Sequence, residues 1–499
     1  MKKKYIIFSI VTLVLLITFV TSFNYFKTSN TYVENNSNNQ TKITKGISMN
    51  LEQTAGAGDY KQVTQSSWPT EGYKFNAELS KCENGGEISW DDTKKAVIVS
   101  GNLSDKCYVY FDIYQLTLAE YIKSQYTGTQ GENSIYYHDS SLTNGAGDNS
   151  YRYAGGDYYL SEKAISEGID CLYSNRSDDC EKPLIASNLD DADNLSWLCE
   201  YDTSEIEYSS YLMALEKAIA DGYVSSGNIN NFVCFGTNEN PCPTDNLYRI
   251  IGVFNENYHG ISGKQLVKLI KYDYMTTDEL GIDGSYSQTF KEFGIYEEYK
   301  GTYGNGERIG VYLWNSDTQT NTWSESNLNK INLNTNYINN IGITWVNKIA
   351  TTTWKVGGVP VSINSSKPSI IYENEIINPD PTNSTDNATE YSAKVGLMYT
   401  SDYGFAASPS VWTKPLWNIT CIDKDVLSTN WMYMGLDEWT ISRRADSYGA
   451  VYVVNCTCMV DVKTKPNSDG IGVRVVFNLD PSVTYVNGDG TQSSPIRIN

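Results

Sequence analysis

The sequence predicts an α+β protein in which an N-terminal membrane helix and a small disulfide-stapled β module precede a larger mixed domain. Three observations carry that expectation. An uncharged run lies close to the first residue, and short β-branched and aromatic runs broken by turn residues recur from Tyr73. Segments of helical period stand between later strand-like runs.

Met1-Lys2-Lys3-Lys4 is followed by nineteen residues without a charge, Tyr5 to Phe23. About 20 apolar residues cross a bilayer, and a basic cluster before such a run is retained inside. Residues 1–23 are therefore expected to be a signal anchor. The chain would then be a single-pass protein of the cell membrane with residues 5–23 in the bacterial membrane and the C-terminal part extracellular. A cleaved signal peptide, with secretion of the rest, is the alternative reading; Val20-Thr21-Ser22 is a poor version of its cleavage site. Residues 24–70, rich in Asn, Thr, Ser, Gln and Gly, read as a flexible spacer.

Residues 71–115 read as the small β module. Glu87 to Trp90, Ala96 to Val99 and Tyr108 to Phe111 are strand-like runs separated by Asn-Gly-Gly, Asp-Asp and Asn-Leu-Ser-Asp. So few residues cannot rely on a core alone, and a Cys82–Cys107 disulfide is expected to staple them. Ten cysteines fit an oxidising compartment. Cys171 with Cys180 and Cys234 with Cys242 form short local pairs, while Cys199, Cys421, Cys456 and Cys458 have no assignable partner. Residues 116–229 read as a helical connector and cysteine-containing insert. Leu116, Ala119, Tyr121 and Ile122 fall at helical spacing after Thr117, and Ser209 to Tyr223 forms an amphipathic helix closed by Gly222. The main domain spans 230–499 and opens with strands around Tyr248, Ile250, Val253 and Leu266 to Ile270.

Charge and composition exclude several functions. Lys and Arg number 38 against 59 Asp and Glu, a net −21, which repels phosphate backbones, so no nucleic-acid partner is expected. His138 and His259 are the only histidines, which leaves little material for histidine metal sites or Ser-His-Asp catalysis. Asp190, Asp191 and Asp193 lack the spacing of an EF-hand loop. Cys456 and Cys458 lack a second cysteine pair for a thiolate metal site, and Glu373 with Glu375 lacks any sign of glycosidase geometry. No metal, cofactor or catalytic residue is assigned.

Five segments of the main domain form an ordered set: Tyr248-Arg249-Ile250-Ile251, Trp323-Ser324-Glu325-Ser326-Asn327-Leu328 with Leu333-Asn334, "VGLMYTSDYGFAASPSVW", "WTISR", and Val473-Arg474-Val475-Val476-Phe477. This set resembles an uncharacterised surface-protein domain family of low-GC Gram-positive gut bacteria, over about residues 230–499. Val475 stands where the family commonly has Pro, and Ser442 precedes Arg443 where the family has the reverse order. The resemblance implies a C-type-lectin-like fold, similar at a distance to the formylglycine-generating-enzyme superfamily. It also implies scaffold roles for Trp323, Ser326, Leu328, Asn334 and Arg474.

Arginine forks hold carboxylates, and tryptophans stack on sugars or line turns. Trp417, Trp431, Trp439 and Arg443 are therefore the candidate ligand contacts, for an extracellular glycan or protein. The expected function is non-catalytic ligand binding or adhesion at the bacterial surface. The alternatives are a purely structural envelope component and an exported oxidase or glycosidase.

Overall fold

In Ile47–Glu52 (β1) every second residue, Ile47, Met49 and Leu51, turns toward one face, where Met49 and Leu51 are buried with Val97, Val109 and Phe111. Such a period of two in apolar residues marks a strand, of which Ser48 and Glu52 on the other face are buried as well, and it lies inside the stretch whose composition suggested a spacer. The computed structural model describes residues 46–64, 67–69, 72–101, 105–156, 158–169, 171–174, 183–186, 218, 220–226, 229–254, 259–261, 263–282, 287–289, 308–315, 320–379, 389–418, 430–447, 449–455, 459–464 and 470–499. The chain divides into two compact units, Met1–Gln115 and Leu116–Asn499.

In the first unit β1 is joined by Tyr60–Val63 (β2), Tyr73–Cys82 (β3), Glu87–Asp91 (β4), Ala96–Ser100 (β5) and Cys107–Ile113 (β6). Four strands form a sheet in the order β2-β1-β6-β3, with β1 and β6 parallel, and β4 pairs with β5 as a hairpin. Trp90 packs edge-on to Phe111 at 5.7 Å and faces Phe75 at 6.4 Å, closing a small aromatic core. Cys82 and Cys107 are register partners on β3 and β6 and are disulfide-bonded. Closing a loop of 25 residues in the unfolded chain stabilises the unit by about 3.5 kcal/mol.

The second unit begins with helix Leu118–Ser124 (α1). Thr117 is its N-cap, and Glu120 completes a capping box. Ile135–His138 (β7), Ser150–Tyr153 (β8), Phe232–Cys234 (β9), Leu247–Phe254 (β10) and Leu266–Lys271 (β11) follow. Next come Thr352–Lys355 (β12), Gly358–Val359 (β13), helix Pro368–Tyr372 (α2), Glu390–Ala393 (β14), Val395–Gly396 (β15) and helix Thr400–Ala406 (α3). Glu438–Arg444 (β16), Val451–Val454 (β17), Val460–Lys463 (β18) and Val476–Asn478 (β19) complete the main elements.

The larger sheet runs β15-β19-β11-β10-β8-β7, with β9 also pairing β10, and every pairing is antiparallel. Strands β7 and β8 come from the stretch read as a connector, so that stretch contributes to the same sheet as β10. All eight residues of β10 are buried, which places apolar layers on both faces. At Gly252 a Cβ would meet the Tyr151 carbonyl oxygen at 2.3 Å, so the close approach of β8 requires glycine there. A second sheet has the order β13-β16-β17-β18, with β13 parallel to β16.

Helix α3 packs on β8 of the larger sheet, on β16 and β17 of the smaller one, and on α2. All seven of its residues are buried. A Cβ at Gly404 would lie 2.9 Å from Pro368 and 3.1 Å from Leu416, so the absent side chain lets α2 close on α3. Helices and antiparallel sheets together make this unit α+β. Cys234 and Cys242 are disulfide-bonded.

Cys180, Cys199, Cys421, Cys456, Cys458, the acidic run Asp190 to Asp193 and the membrane-helix candidate at residues 5–23 lie outside the described residues, as does most of the helix expected from Ser209 to Tyr223. Among the described residues no helix is long and apolar enough to cross a membrane, and no cluster of three His, Cys, Asp or Glu side chains could hold a metal ion.

Candidate functional site

The four candidate ligand contacts do not converge. Trp439 and Trp431 are fully buried; the Trp439 Nε1–H donates to the Tyr312 carbonyl at 2.7 Å and that of Trp431 to Tyr153 at 3.0 Å. The Arg249 guanidinium lies 4.5 Å from the Trp431 ring. Arg443 is buried in β16 and donates through Nε to the Val356 carbonyl at 2.9 Å. Its neighbour Arg444 points outward and pairs with Asp446 at 2.7 Å. Trp417 alone of the four is exposed, at 46%.

Trp417 sits in the 3-10 turn Leu416–Asn418. Leu416 is fully buried, and its N–H donates to the Ser366 carbonyl at 3.2 Å, which pins the turn to the protein. The turn packs against a second 3-10 segment, Val361–Ser365, which in turn touches α2. Val361 and Ile370 on those neighbours are also 46% exposed. Large apolar side chains grouped on fixed turns are a feature of binding surfaces.

The residues given scaffold roles are deep inside the unit. Arg474 is 1% exposed and forks onto Glu438: Nε lies 3.0 and 2.9 Å from the two carboxylate oxygens, and Nη2 lies 2.7 Å from one of them. Burial raises the Glu438 carboxyl above its usual range, and Arg474 opposes that shift. Trp323 packs on Trp314 at 5.2 Å, and Ser326 donates to the Trp314 carbonyl while accepting from the Asn329 N–H at 3.2 Å. Leu328 is fully buried and opens the π-helix Leu328–Tyr337. Within it, Asn334 pairs with Val395 as a strand would, donating to its carbonyl at 3.0 Å and accepting its N–H at 3.2 Å.

Glu375 caps α3. Its carboxylate accepts from the Thr400 and Ser401 N–H groups at 3.0 and 2.9 Å and from the hydroxyls of Thr400 and Ser442. Burial pushes its pKa up, while those hydroxyl and N–H donors pull the other way. Glu373 is exposed and bonded to Asn378 at 2.6 Å, so the two acids serve different surroundings.

One buried polar cluster among the described residues was not marked by any sequence pattern. Asp148, Arg152, His259, Lys268, Tyr372 and Asp402 meet beneath α3, and all are essentially buried. Arg152 reaches Asp148 at 2.8 Å and lies between the rings of Phe254, Tyr372 and Phe405. Lys268 reaches Asp402 at 3.1 Å. Tyr372 donates to Asp148 at 2.7 Å, which leaves its oxygen to accept from His259 Nε2 at 3.0 Å. That bond fixes the His259 tautomer and turns its Nδ1 lone pair toward Lys268 Nζ, 3.4 Å away. Burial, helped by the Lys268 charge, lowers His259 to about 4. Burial alone would raise Asp148, but Arg152 and His259 hold it well below the ordinary carboxylate range.

His138 is also fully buried, its Nδ1 accepting the Ala146 N–H at 3.0 Å beside the rings of Phe405 and Trp412. Both histidines therefore belong to the interior around α3. The cluster gathers side chains from four stretches of the chain, at 148–152, 259–268, 372 and 402, which no sequence pattern linked.

Comparison of the chain with protein-family models, with curated proteins and with solved structures returned no match.

Proposed function

We propose that this chain is an exported bacterial surface protein whose C-terminal domain, C-type-lectin-like in fold, binds an extracellular glycan or protein ligand without catalysis. The observation that carries the reading is Trp417, an indole half in solvent on a turn held by buried Leu416. An aromatic side chain fixed in this way loses little rotamer freedom on binding, and its face suits the C–H face of a sugar or the side chains of a peptide. Val361, on the segment packed against that turn, and Ile370, on the helix that touches that segment, are exposed apolar residues as well. The uncharged run at residues 5–23 supports export and anchoring.

The test is a glycan array and a surface-protein pull-down with the full chain, repeated with Trp417→Ala. The reading expects one ligand class to be retained by the parent and lost by at least tenfold in the variant, with an unchanged melting curve, since about 1.4 kcal/mol of contact energy is a tenfold change in affinity. Equal retention by parent and variant would refute the role of Trp417.

A further inference from the structure

Lys268 leaves β11 and Asp402 leaves α3, and their side chains meet where each is 1% exposed. Nζ lies 3.2 and 3.1 Å from the two carboxylate oxygens. Arg152 and Asp148 neutralise one another alongside, and the rings of Phe254 and Tyr399 lie 4.3 and 5.1 Å from Nζ. The pair therefore stands desolvated, with aromatic rings and a second ion pair in place of water. Burial pulls the Lys268 pKa down, against the pull of Asp402. A desolvated lysine held as the free amine is a nucleophile.

The remaining groups are placed as an acyl-transfer site needs them. His259 Nδ1 faces Nζ at 3.4 Å, with its tautomer set through Tyr372 by Asp148. Arg152 Nη1 has no hydrogen-bond partner and lies 3.9 Å from Asp402 Oδ1, where it faces any negative charge that develops on that oxygen. Nucleophile, electrophile, base, orienting group and oxyanion donor thus stand within one cluster.

We propose that Lys268 and Asp402 condense to an intramolecular amide that covalently joins β11 to α3. One proton passes from the Lys268 ammonium to one Asp402 carboxylate oxygen, the freed Nζ lone pair adds to Cγ, and the other oxygen takes the negative charge beside Arg152. One Nζ proton passes to His259 Nδ1. The C–O bond to the hydroxyl then breaks, the hydroxyl takes that proton from His259 and leaves as water, and the C–N bond remains as the amide. No electrons are gained or lost. Condensation prevails over hydrolysis because groups held in this geometry act at an effective concentration of about 10⁵–10⁸ M.

The test is the intact mass of the full chain after reduction of its disulfides, followed by peptide mapping. The proposal expects a mass one water below that of the sequence and a cross-linked peptide containing Lys268 and Asp402. Lys268→Met is expected to restore the full mass. Asp402→Asn is expected to lose ammonia in place of water, because the leaving group then comes from an amide. A parent mass equal to that of the sequence overturns the proposal, even if neither variant folds. So does a deficit that maps elsewhere, that survives in Lys268→Met, or that remains water in Asp402→Asn.

Discussion

Replacing Arg474 with Met leaves the Glu438 carboxylate in the interior without the guanidinium that faces it. Both partners are almost wholly buried, at 1% and 2% side-chain exposure, so solvent cannot take over the role of the lost cation. Breaking a buried pair from one side costs about 3–5 kcal/mol, most of it the desolvation of the stranded charge. A unit the length of Leu116–Asn499 unfolds with about 0.8 kcal/mol/K of entropy, so Tm is expected to fall by about 4–6 °C. The pH dependence gives a sharper signature. A carboxyl whose folded pKa stands above its unfolded value binds a proton more readily when folded, so it favours the fold in acid and disfavours it as pH rises. Removing Arg474 takes away the influence that held that pKa down, so Arg474→Met is expected to lose less stability at pH 5 than at pH 8. Adding Glu438→Gln removes the stranded charge and is expected to recover at least half of the loss. Urea unfolding followed by tryptophan fluorescence measures the parent and both variants. A loss below about 1 kcal/mol, or an equal loss at both pH values, would refute the buried-pair argument.

Two further outcomes follow from the structure. His259 is neutral when folded, with its pKa lowered to about 4, whereas the unfolded chain takes up a proton below about 6.5. Its contribution is thus complete above pH 6.5 and lost as pH falls toward 4, about 3 kcal/mol in all. His259→Gln should flatten that part of the stability profile of the second unit. Opening the Cys82–Cys107 bond with Cys82→Ser and Cys107→Ser should lower the stability of the first unit by about 3.5 kcal/mol while leaving the second unchanged, as read by hydrogen exchange in each.

Local signals in the chain were readable because their partners are near in sequence. The turn residues between Glu87 and Phe111 separate β4, β5 and β6, Thr117 with Glu120 starts α1, and the Cys82–Cys107 and Cys234–Cys242 bonds join close cysteines. Composition misled at residues 47–63. Lys61 and Gln62 of β2 face out, and Ile47, Met49 and Leu51 have the period of two that a composition average erases. Long-range polar chemistry left no trace at all. Asp148 and Asp402 are unremarkable acids among 59; Asp148 pairs with Arg152 four residues on, but only the crossing of β8, β11 and α3 brings that pair together with Lys268 and Asp402. Trp431 and Trp439 show the same limit. Sequence marks a tryptophan as valuable, but its depth is set by neighbours more than a hundred residues away, such as Tyr153 and Tyr312.

The placement of charge around α3 bears on how this fold reaches one arrangement. A seven-residue helix is too short to be stable by itself, and its hydrophobic faces alone would tolerate sliding between the two sheets. Glu375 holds its first two N–H groups and Ser442 of β16, while Asp402 in the same first turn reaches Lys268 of β11. A shift of α3 by one residue would strand both carboxylates in the interior at several kcal/mol each, far more than the change in apolar contact. The polar groups therefore set the register, and the surrounding aromatic rings supply the burial. An amide between Lys268 and Asp402 would turn that energetic preference into a covalent one, because the chain segment from β11 to α3 would become a closed ring that unfolding cannot open.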